Sequence, residues 1–266
     1  MEDLKLHDVI VVGGGPVGSL VACKLAGMGH EVMVLERKQR VGEQVCCTGI
    51  IGQECVNSFG IKDAILRQVN SARLFSPSGD MLRLWREETQ ASILDRSAFD
   101  IAMAARAQAE GAEYILNSPV GEIEVEKDRV SVKSSHQGEV LNFEARAVVI
   151  TNGFGSRLSQ KLGLGDIGDF VIGAQAEVEL AEIDEVEVYF GREVAPGFFA
   201  WLVPTSGRTA RAGLLSRHRP GLYLKKLMTA LLAEGKIASS NGEMSYGGIP
   251  LKPLPHLRRP RIKSYW

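Results

Sequence analysis

A β-branched run, Val9-Ile10-Val11-Val12, stops at Gly13 and opens a Gly13-x-Gly15-x-x-Gly18 turn, and this junction constrains the fold more than any other stretch of the chain. Such a run suits a strand buried on both faces. In a strand-turn-helix of this spacing the first glycine permits the tight turn and the second lets a pyrophosphate approach the backbone. The third lets the helix pack closely on the strand. Pro16 fits the first helical turn, where its missing N–H costs nothing. Val17, Leu20, Val21, Leu25 and Met28 recur at helical spacing and predict that helix's apolar face, with Gly29 as its C-terminal cap. Val32 to Leu35 reads as a second strand, ending at Glu36, eighteen positions past Gly18. An acid there accepts from a ribose hydroxyl and disfavours a 2′-phosphate, while the helix N-terminus turns its free N–H groups toward phosphate. The unit predicts a bound dinucleotide without choosing between FAD and NAD.

At 266 residues the chain exceeds one typical domain, and two lobes are expected. Its net charge of −1, with both signs interspersed, offers no global field to recruit nucleic acid, which is not expected as a partner. Met1 leads through Glu2, Asp3 and Lys5 straight into the first strand, and no apolar run reaches spanning length. A cytoplasmic location is the expectation. Cys23, Cys46, Cys47 and Cys55 form no C-x-x-C pair and have no histidine at zinc spacing, so neither a metal site nor a disulfide framework is predicted.

After Glu36, the polar stretch Arg37 to Gly52 reads as a long loop leaving the carboxyl end of the second strand, the side that faces a cofactor. Ala72 to Phe75 and Met81 to Trp85 flank Ser76-Pro77-Ser78-Gly79-Asp80 and read as a hairpin. Asp95 opens a helix that ends near Gly111. Four short strands follow: Tyr114 to Leu116, Gly121 to Val125, Val130 to Lys133 and Val140 to Glu144. A further apolar strand, Ala147 to Ile150, runs into the polar loop Thr151 to Ser156. Phe170 to Leu180, Val186 to Phe190, Phe198 to Val203 and Thr209 to Leu214 read as four more strands, and Gly221 to Ala233 as a helix. These would make the second lobe.

The spacing resembles the geranylgeranyl reductases, within the flavoproteins that share the para-hydroxybenzoate hydroxylase fold. Several separated segments carry the likeness: Gly13-x-Gly15-x-x-Gly18 with Glu36, Val45-Cys46-Cys47-Thr48-Gly49-Ile50, Asp95-Arg96-x-x-Phe99-Asp100, Asn152-Gly153-x-x-Ser156, and Tyr189-Phe190-Gly191 through Pro196 to Pro204. The resemblance implies an α/β fold, a Rossmann-like FAD-binding domain with an inserted, mostly antiparallel β-sheet substrate lobe. It divides the chain into an FAD-binding core at 1–70, a substrate-lobe hairpin at 71–94, a continuation of the FAD domain at 95–165, the substrate lobe at 166–254 and a basic tail at 255–266.

By the same resemblance the cofactor is FAD, with NAD(P)H or another reductant as electron donor. Gly13, Gly15, Pro16 and Gly18 would hold the pyrophosphate and Glu36 the adenosine ribose, Arg37 would be a further cofactor-binding residue, and Arg96 would lie along the dinucleotide, where a guanidinium offers fixed donors. Asn152 and Gly153 stand where the family turn usually begins with aspartate, and an asparagine that merely tolerates a left-handed backbone is an equal reading. Cys47, Thr48 and Gly49 would lie over the flavin, with Cys47 as proton donor or as a small buried hydrophobe. Tyr189, Phe199, Trp201 and Pro204 would line a prenyl-binding cavity, although aromatics alternating along strands serve equally as core.

The implied reaction is reduction of prenyl carbon-carbon double bonds in isoprenoid or ether-lipid metabolism. An aromatic monooxygenase of the same fold, or a non-catalytic nucleotide-binding remnant, are the alternatives. Family members continue past Gly247-Gly248-Ile249-Pro250-Leu251 into a Gly-Asp motif and a helical segment, so the chain reads as a truncated member, and a second chain supplying that segment is an implied partner. The basic run Leu257 to Lys263 is read as unstructured, with contact to an anionic membrane surface as the alternative.

Overall fold

The computed structural model describes residues 5–181, 184–239 and 242–252. The basic tail lies outside them. Along the chain the elements are β1 (Leu6–Val12), α1 (Pro16–Gly27), β2 (Val32–Leu35), β3 (Ile50–Gly52), α2 (Gln53–Phe59), a 3-10 turn at Lys62–Ala64, β4 (Ile65–Val69), β5 (Ser71–Phe75), β6 (Met81–Trp85) and β7 (Ala91–Leu94). They continue with α3 (Arg96–Ala109), β8 (Glu113–Ile115), β9 (Val120–Val125), β10 (Val130–His136), β11 (Glu139–Ile150) and α4 (Leu158–Lys161). The last are β12 (Phe170–Leu180), β13 (Val186–Phe190), β14 (Phe199–Pro204), β15 (Thr209–Ser216), α5 (Pro220–Ala233), β16 (Ile237–Ser239) and β17 (Met244–Pro250).

Two compact units form, one from the residues up to Glu43 with Ser97–Gly168, the other from Gln44–Arg96 with Asp169–Leu251. The first is built on a six-stranded sheet ordered β8-β2-β1-β11-β10-β9. Its β8, β2, β1 and β11 run parallel, and β10 and β9 continue it antiparallel. Alternation along β1 sends Val9 and Val11 to one face, where Ala22 and Ala26 of α1 and Ala107 of α3 complete the core, and Ile10 and Val12 to the other, with Ile123, Val132 and Leu158. The β-branched run is thus buried on both faces.

Three expectations are corrected here. The face of α1 turned to the sheet carries Gly18, Ser19, Ala22 and Ala26, whereas Val17 and Met28 are exposed. Small residues let the helix axis approach the strands; of the larger apolar residues, Val21 and Leu25 pack partly buried against the same core as expected, while Val17 and Met28 fall to the outside. The helix does end as expected: Gly29 N–H donates to Ala26 O and His30 N–H to Leu25 O, which caps the last carbonyls. The strands read separately at 140–144 and 147–150 are one strand, β11, which changes partner without breaking: Ala145 faces Val130 on β10 and His7 on β1. Finally, residues 44–70 belong to the second unit rather than to the nucleotide-binding core, because β3 and β4 both pair with β7 in a small antiparallel sheet.

The second unit carries a larger sheet ordered β16-β12-β15-β14-β13-β5-β6, with β17 also on β12, antiparallel except where β13 meets β5. One face, rich in alanine, is covered by Leu224, Leu227, Met228 and Leu231 of α5. The opposite face joins Val186, Trp201 and Val203 to Ile93 of the small sheet. No helix among the described residues is long and apolar enough to cross a membrane.

The β10–β11 hairpin turns through Gln137 and Gly138, whose φ angles are 52° and 89°, the left-handed pair that matches strand twist in a two-residue loop. A Cβ on Gly138 would meet no atom within 4 Å, so a substitution there costs backbone energy alone. Gly138→Ala is therefore expected to lower the unfolding free energy by about 1 kcal/mol, read as a lower urea midpoint at unchanged slope.

Candidate cofactor-binding site

A cavity of about 460 Å³ opens at the carboxyl ends of β1, β2 and β11, lined by the Gly13 to Val17 turn, Leu35 to Lys38, Ser118 to Val120 and Thr151 to Phe154. Its geometry follows from the glycines. Gly13 has φ +107°, and a Cβ on it would sit 2.6 Å from Thr151 O, so the turn admits no side chain there. A Cβ on Gly18 would stand 1.9 Å from Gly13 O, which makes Gly18 the contact that seats α1 on the turn. A Cβ on Gly15 would meet nothing within 4 Å. The second glycine thus keeps clear the space just before the helix, where the first-turn N–H groups lack intrahelical acceptors.

Glu36 is buried, and its carboxylate accepts from Gly14 N–H at 2.6 Å and from Lys38 N–H at 2.9 Å. Each oxygen keeps acceptor capacity for a ribose hydroxyl. Thr151 Oγ1 donates to the carbonyls of Val12 and Gly13, at 3.0 and 2.9 Å, so the two loops that carry the cavity are tied together. The buried Nδ2 of Asn152 has no partner among the described residues, although it carries two donors at the wall of a cavity. Of the residues the sequence reading assigns to the cofactor, Gly13, Gly15, Pro16, Glu36, Arg37, Asn152 and Gly153 line the cavity. Gly18 sits behind it as packing. Buried Asp100 and Ser118, half-buried Phe154 and exposed Pro119 line it too and were missed. Asp100 belongs to a quoted motif, but no local pattern says which face of α3 it takes.

The remaining candidates lie in the second unit, Arg96 at its edge, half-buried at the start of α3. The Cys46 to Gly49 segment is held at three carbonyls: Cys47 O accepts from Gln175 Nε2 at 3.3 Å, Thr48 O from an Arg211 nitrogen at 2.7 Å and Gly49 O from Leu94 N–H at 2.9 Å. Burial pushes the Cys46 thiol up, only partly offset by its hydrogen bond with Ser245. The aromatic candidates do not share one face. Phe199 and Trp201 stand together, ring centroids 6.0 Å apart, and Phe199 is 39% exposed. Tyr189 pairs with Ala200 and Pro204 with Ala210, which puts both on the α5 face. There the Tyr189 hydroxyl donates to buried Glu187, Lys236 Nζ reaches both Glu187 Oε2 at 3.1 Å and the Tyr189 oxygen at 3.0 Å, and the ring stacks on Phe75 at 5.1 Å. Burial and the Glu187 carboxylate push the phenol pKa far up. Tyr189 and Pro204 therefore do not line a cavity with Phe199 and Trp201; alternation along the strands separates them.

A parallel sheet, a glycine turn into a helix and an acid closing the second strand define a dinucleotide-binding protein. A family model described as FAD dependent oxidoreductase matches residues 52–213, and one described as NAD(P)-binding Rossmann-like domain matches residues 11–48. The chain belongs to the FAD dependent oxidoreductase family. It is similar to the digeranylgeranylglycerophospholipid reductase of Methanocaldococcus jannaschii, with 29% identity covering 94% of this chain and 67% of that protein. The protein of the same name in Methanosarcina mazei is 28% identical, with 92% and 64% covered. A geranylgeranyl bacteriochlorophyll reductase-like structure from Thermoplasma acidophilum matches with a TM-score of 0.81 at 26% identity, covering 94% of this chain and 68% of that one. The p-nitrophenol 4-monooxygenase of Pseudomonas putida, at TM-score 0.76 and 17% identity over 96% and 70%, shares the fold alone. The chain spans about two thirds of the length of the curated relatives it matches.

The glycines separate two roles that substitution can test. Gly18→Ala is expected to destabilise the protein by about 2 kcal/mol or more through overpacking, whereas Gly15→Ala leaves the melting temperature nearly unchanged and weakens FAD binding about tenfold or more. Thermal melts and flavin titration measure the two effects. Tyr189→Phe is expected to cost about 1–2 kcal/mol in urea unfolding, by taking a donor from buried Glu187, with flavin binding unaltered.

Proposed function

We propose that this chain carries the flavin-binding and substrate-binding portions of an FAD-dependent reductase that saturates prenyl double bonds of an isoprenoid or ether lipid. The observation that supports it most is the nucleotide cavity with its open Gly15, in a chain similar over more than nine-tenths of its length to proteins named digeranylgeranylglycerophospholipid reductase. FAD suits the residues present. Gly13, Gly15 and Pro16 form the pyrophosphate cradle, Glu36 and Arg37 take the adenosine ribose, and Asn152 and Gly153 offer a buried amide donor and open backbone. Arg96 is assigned to the phosphates.

Saturating an isolated alkene adds a hydride to one carbon and a proton to the other. FAD, once reduced, supplies the hydride, and NAD(P)H is the proposed donor that reduces it. The chain's own contribution is position, dryness and the proton. We assign Cys47 as proton donor, on a segment whose carbonyls are pinned by Gln175 and Arg211 so that the backbone around the thiol is fixed. Thr48 and Gly49 complete the segment. Phe199 and Trp201 offer the prenyl chain an aromatic surface that costs little conformational entropy. Work on such lipids belongs in the cytoplasm at a membrane surface, where the basic sequence Leu257 to Lys263 would meet anionic headgroups.

The test is to reconstitute the protein with FAD, reduce it anaerobically with dithionite, add a digeranylgeranylglycerol phospholipid and follow its mass. Gain of one dihydrogen per double bond is expected, and Cys47→Ala should keep bound flavin while losing turnover at least tenfold. Bound flavin with no lipid reduction under any reductant would sink the reading, and full turnover in Cys47→Ala would remove that residue from it.

A further inference from the structure

Four positions on the second unit's large sheet stand in one row: Trp201 on β14 faces Gly213 on β15, Gly213 faces Gln175 on β12, and Gln175 faces Ser245 on β17. Directly paired residues of an antiparallel sheet share a face, so the Trp201 and Gln175 side chains rise on either side of a position with no side chain. The indole fills that gap. A Cβ on Gly213 would lie 2.5 Å from Trp201 Cε2 and Cζ2 and 2.7 Å from Nε1, so the edge bearing the N–H leans over Gly213 toward Gln175.

Both side chains are more than nine-tenths buried, Trp201 at 8% exposure and Gln175 at 7%. Neither Trp201 Nε1 nor Gln175 Oε1 has a hydrogen-bond partner among the described residues. The amide's orientation is not open to reversal. Its Nε2 donates to Cys47 O, and turning the amide over would set one carbonyl oxygen against another. The row therefore presents one unused donor, the indole N–H, and one unused acceptor, the amide oxygen, on the same face of the sheet with only Gly213 between their positions. Leaving such groups unmade is costly, and native proteins almost always satisfy them.

We infer that Trp201 and Gln175 form a binding site for a single hydroxylic oxygen, which accepts from the indole N–H and donates to the amide oxygen. Only a group that both accepts and donates satisfies both ends: an ether, a carbonyl or a carboxylate offers no proton to Gln175, and an ammonium accepts nothing from Trp201. A water molecule and the alcohol group of a ligand have this chemistry in common. Because Gln175 also holds Cys47 O, an occupant here bears on the position of the cysteine segment. The site lies wholly within the second unit and does not rest on the prenyl-reduction reading.

The test has two arms, neither of which needs turnover. In the first, a high-resolution crystal structure of the ligand-free protein is compared with those of Trp201→Phe, which keeps an aromatic ring without the N–H, and Gln175→Met. In the second, calorimetry compares geraniol with its methyl ether on the parent protein and on Trp201→Phe. An oxygen bonded to both atoms in the ligand-free parent and lost from the variants, with alcohol and ether binding alike, identifies the occupant as water. About tenfold tighter binding of the alcohol in the parent, abolished in Trp201→Phe, identifies it as a ligand hydroxyl. Absence of such an oxygen together with no preference for the alcohol overturns the proposal, as does a structure in which the indole and amide bond to each other. Should Trp201→Phe fail to fold, Gln175→Met takes its place in the second arm with the same expectations.

Discussion

Thr151 fastens the carboxyl ends of two parallel strands, and the nucleotide cavity exists because of that fastening. Its hydroxyl and its N–H all reach the β1 side, to Val12 O and Gly13 O, just where β1 turns into the helix and β11 runs out into the Asn152 loop. Parallel strands leave their loops at the same edge, so a tie between two loops there makes a wall rather than a seam. Once the wall is fixed, Gly13 has no room for a Cβ, and Gly18 must lie against the Gly13 carbonyl. One hydroxyl group thus explains two of the three glycines. The third, Gly15, is explained by the space it leaves.

Glu36 works against the same wall from the neighbouring strand. A carboxyl group this buried would be costly alone, yet two backbone N–H groups, from Gly14 and Lys38, satisfy its oxygens and fix its orientation at the cavity wall. The donor from Gly14 comes out of the glycine turn itself, so the turn's shape and the acid's orientation depend on each other. The acid's orientation is therefore built into the backbone of the turn and of the loop after β2.

Much of this was legible in the chain because glycine spacing and β-branched runs report backbone shape directly. The first unit's parallel strands, the helix cap at Gly29 and the cavity residues Gly13, Gly15, Pro16 and Glu36 followed from such local signals, whereas Arg37, Asn152 and Gly153 came from the resemblance. Side-chain direction did not. The apolar spacing of Val17, Leu20, Val21, Leu25 and Met28 suggested the buried face of α1; Val21 and Leu25 do pack against the core, but the fully buried positions are Gly18, Ser19, Ala22 and Ala26, and Val17 and Met28 are exposed. Tyr189 sits twelve residues before Trp201 in a run of aromatics, and only the pairing register shows that they occupy opposite faces. The small sheet of β3, β7 and β4 left no period in strands this short, and with it went the boundary at residue 70.

The second unit's large sheet has two unlike faces, and the contrast bears on what each is for. Toward α5 the paired positions are Ala174, Ala176, Ala200, Ala210 and Ala212 under leucines, and the polar groups there, Glu187, Tyr189 and Lys236, satisfy one another. That side is finished as structure. On the other side Trp201 and Gln175 are buried with polar atoms unpaired among the described residues, Phe199 is partly exposed beside Trp201, and the cysteine segment is secured at the carbonyls of Cys47 and Thr48. A sheet that needed only stability would bury alanine and leucine on both sides. Retaining an amide, an indole and a pinned thiol-bearing segment on one of them is the arrangement expected where a ligand completes the packing, because a face left unfinished in the absence of its ligand is what lets the ligand's own groups contribute to binding.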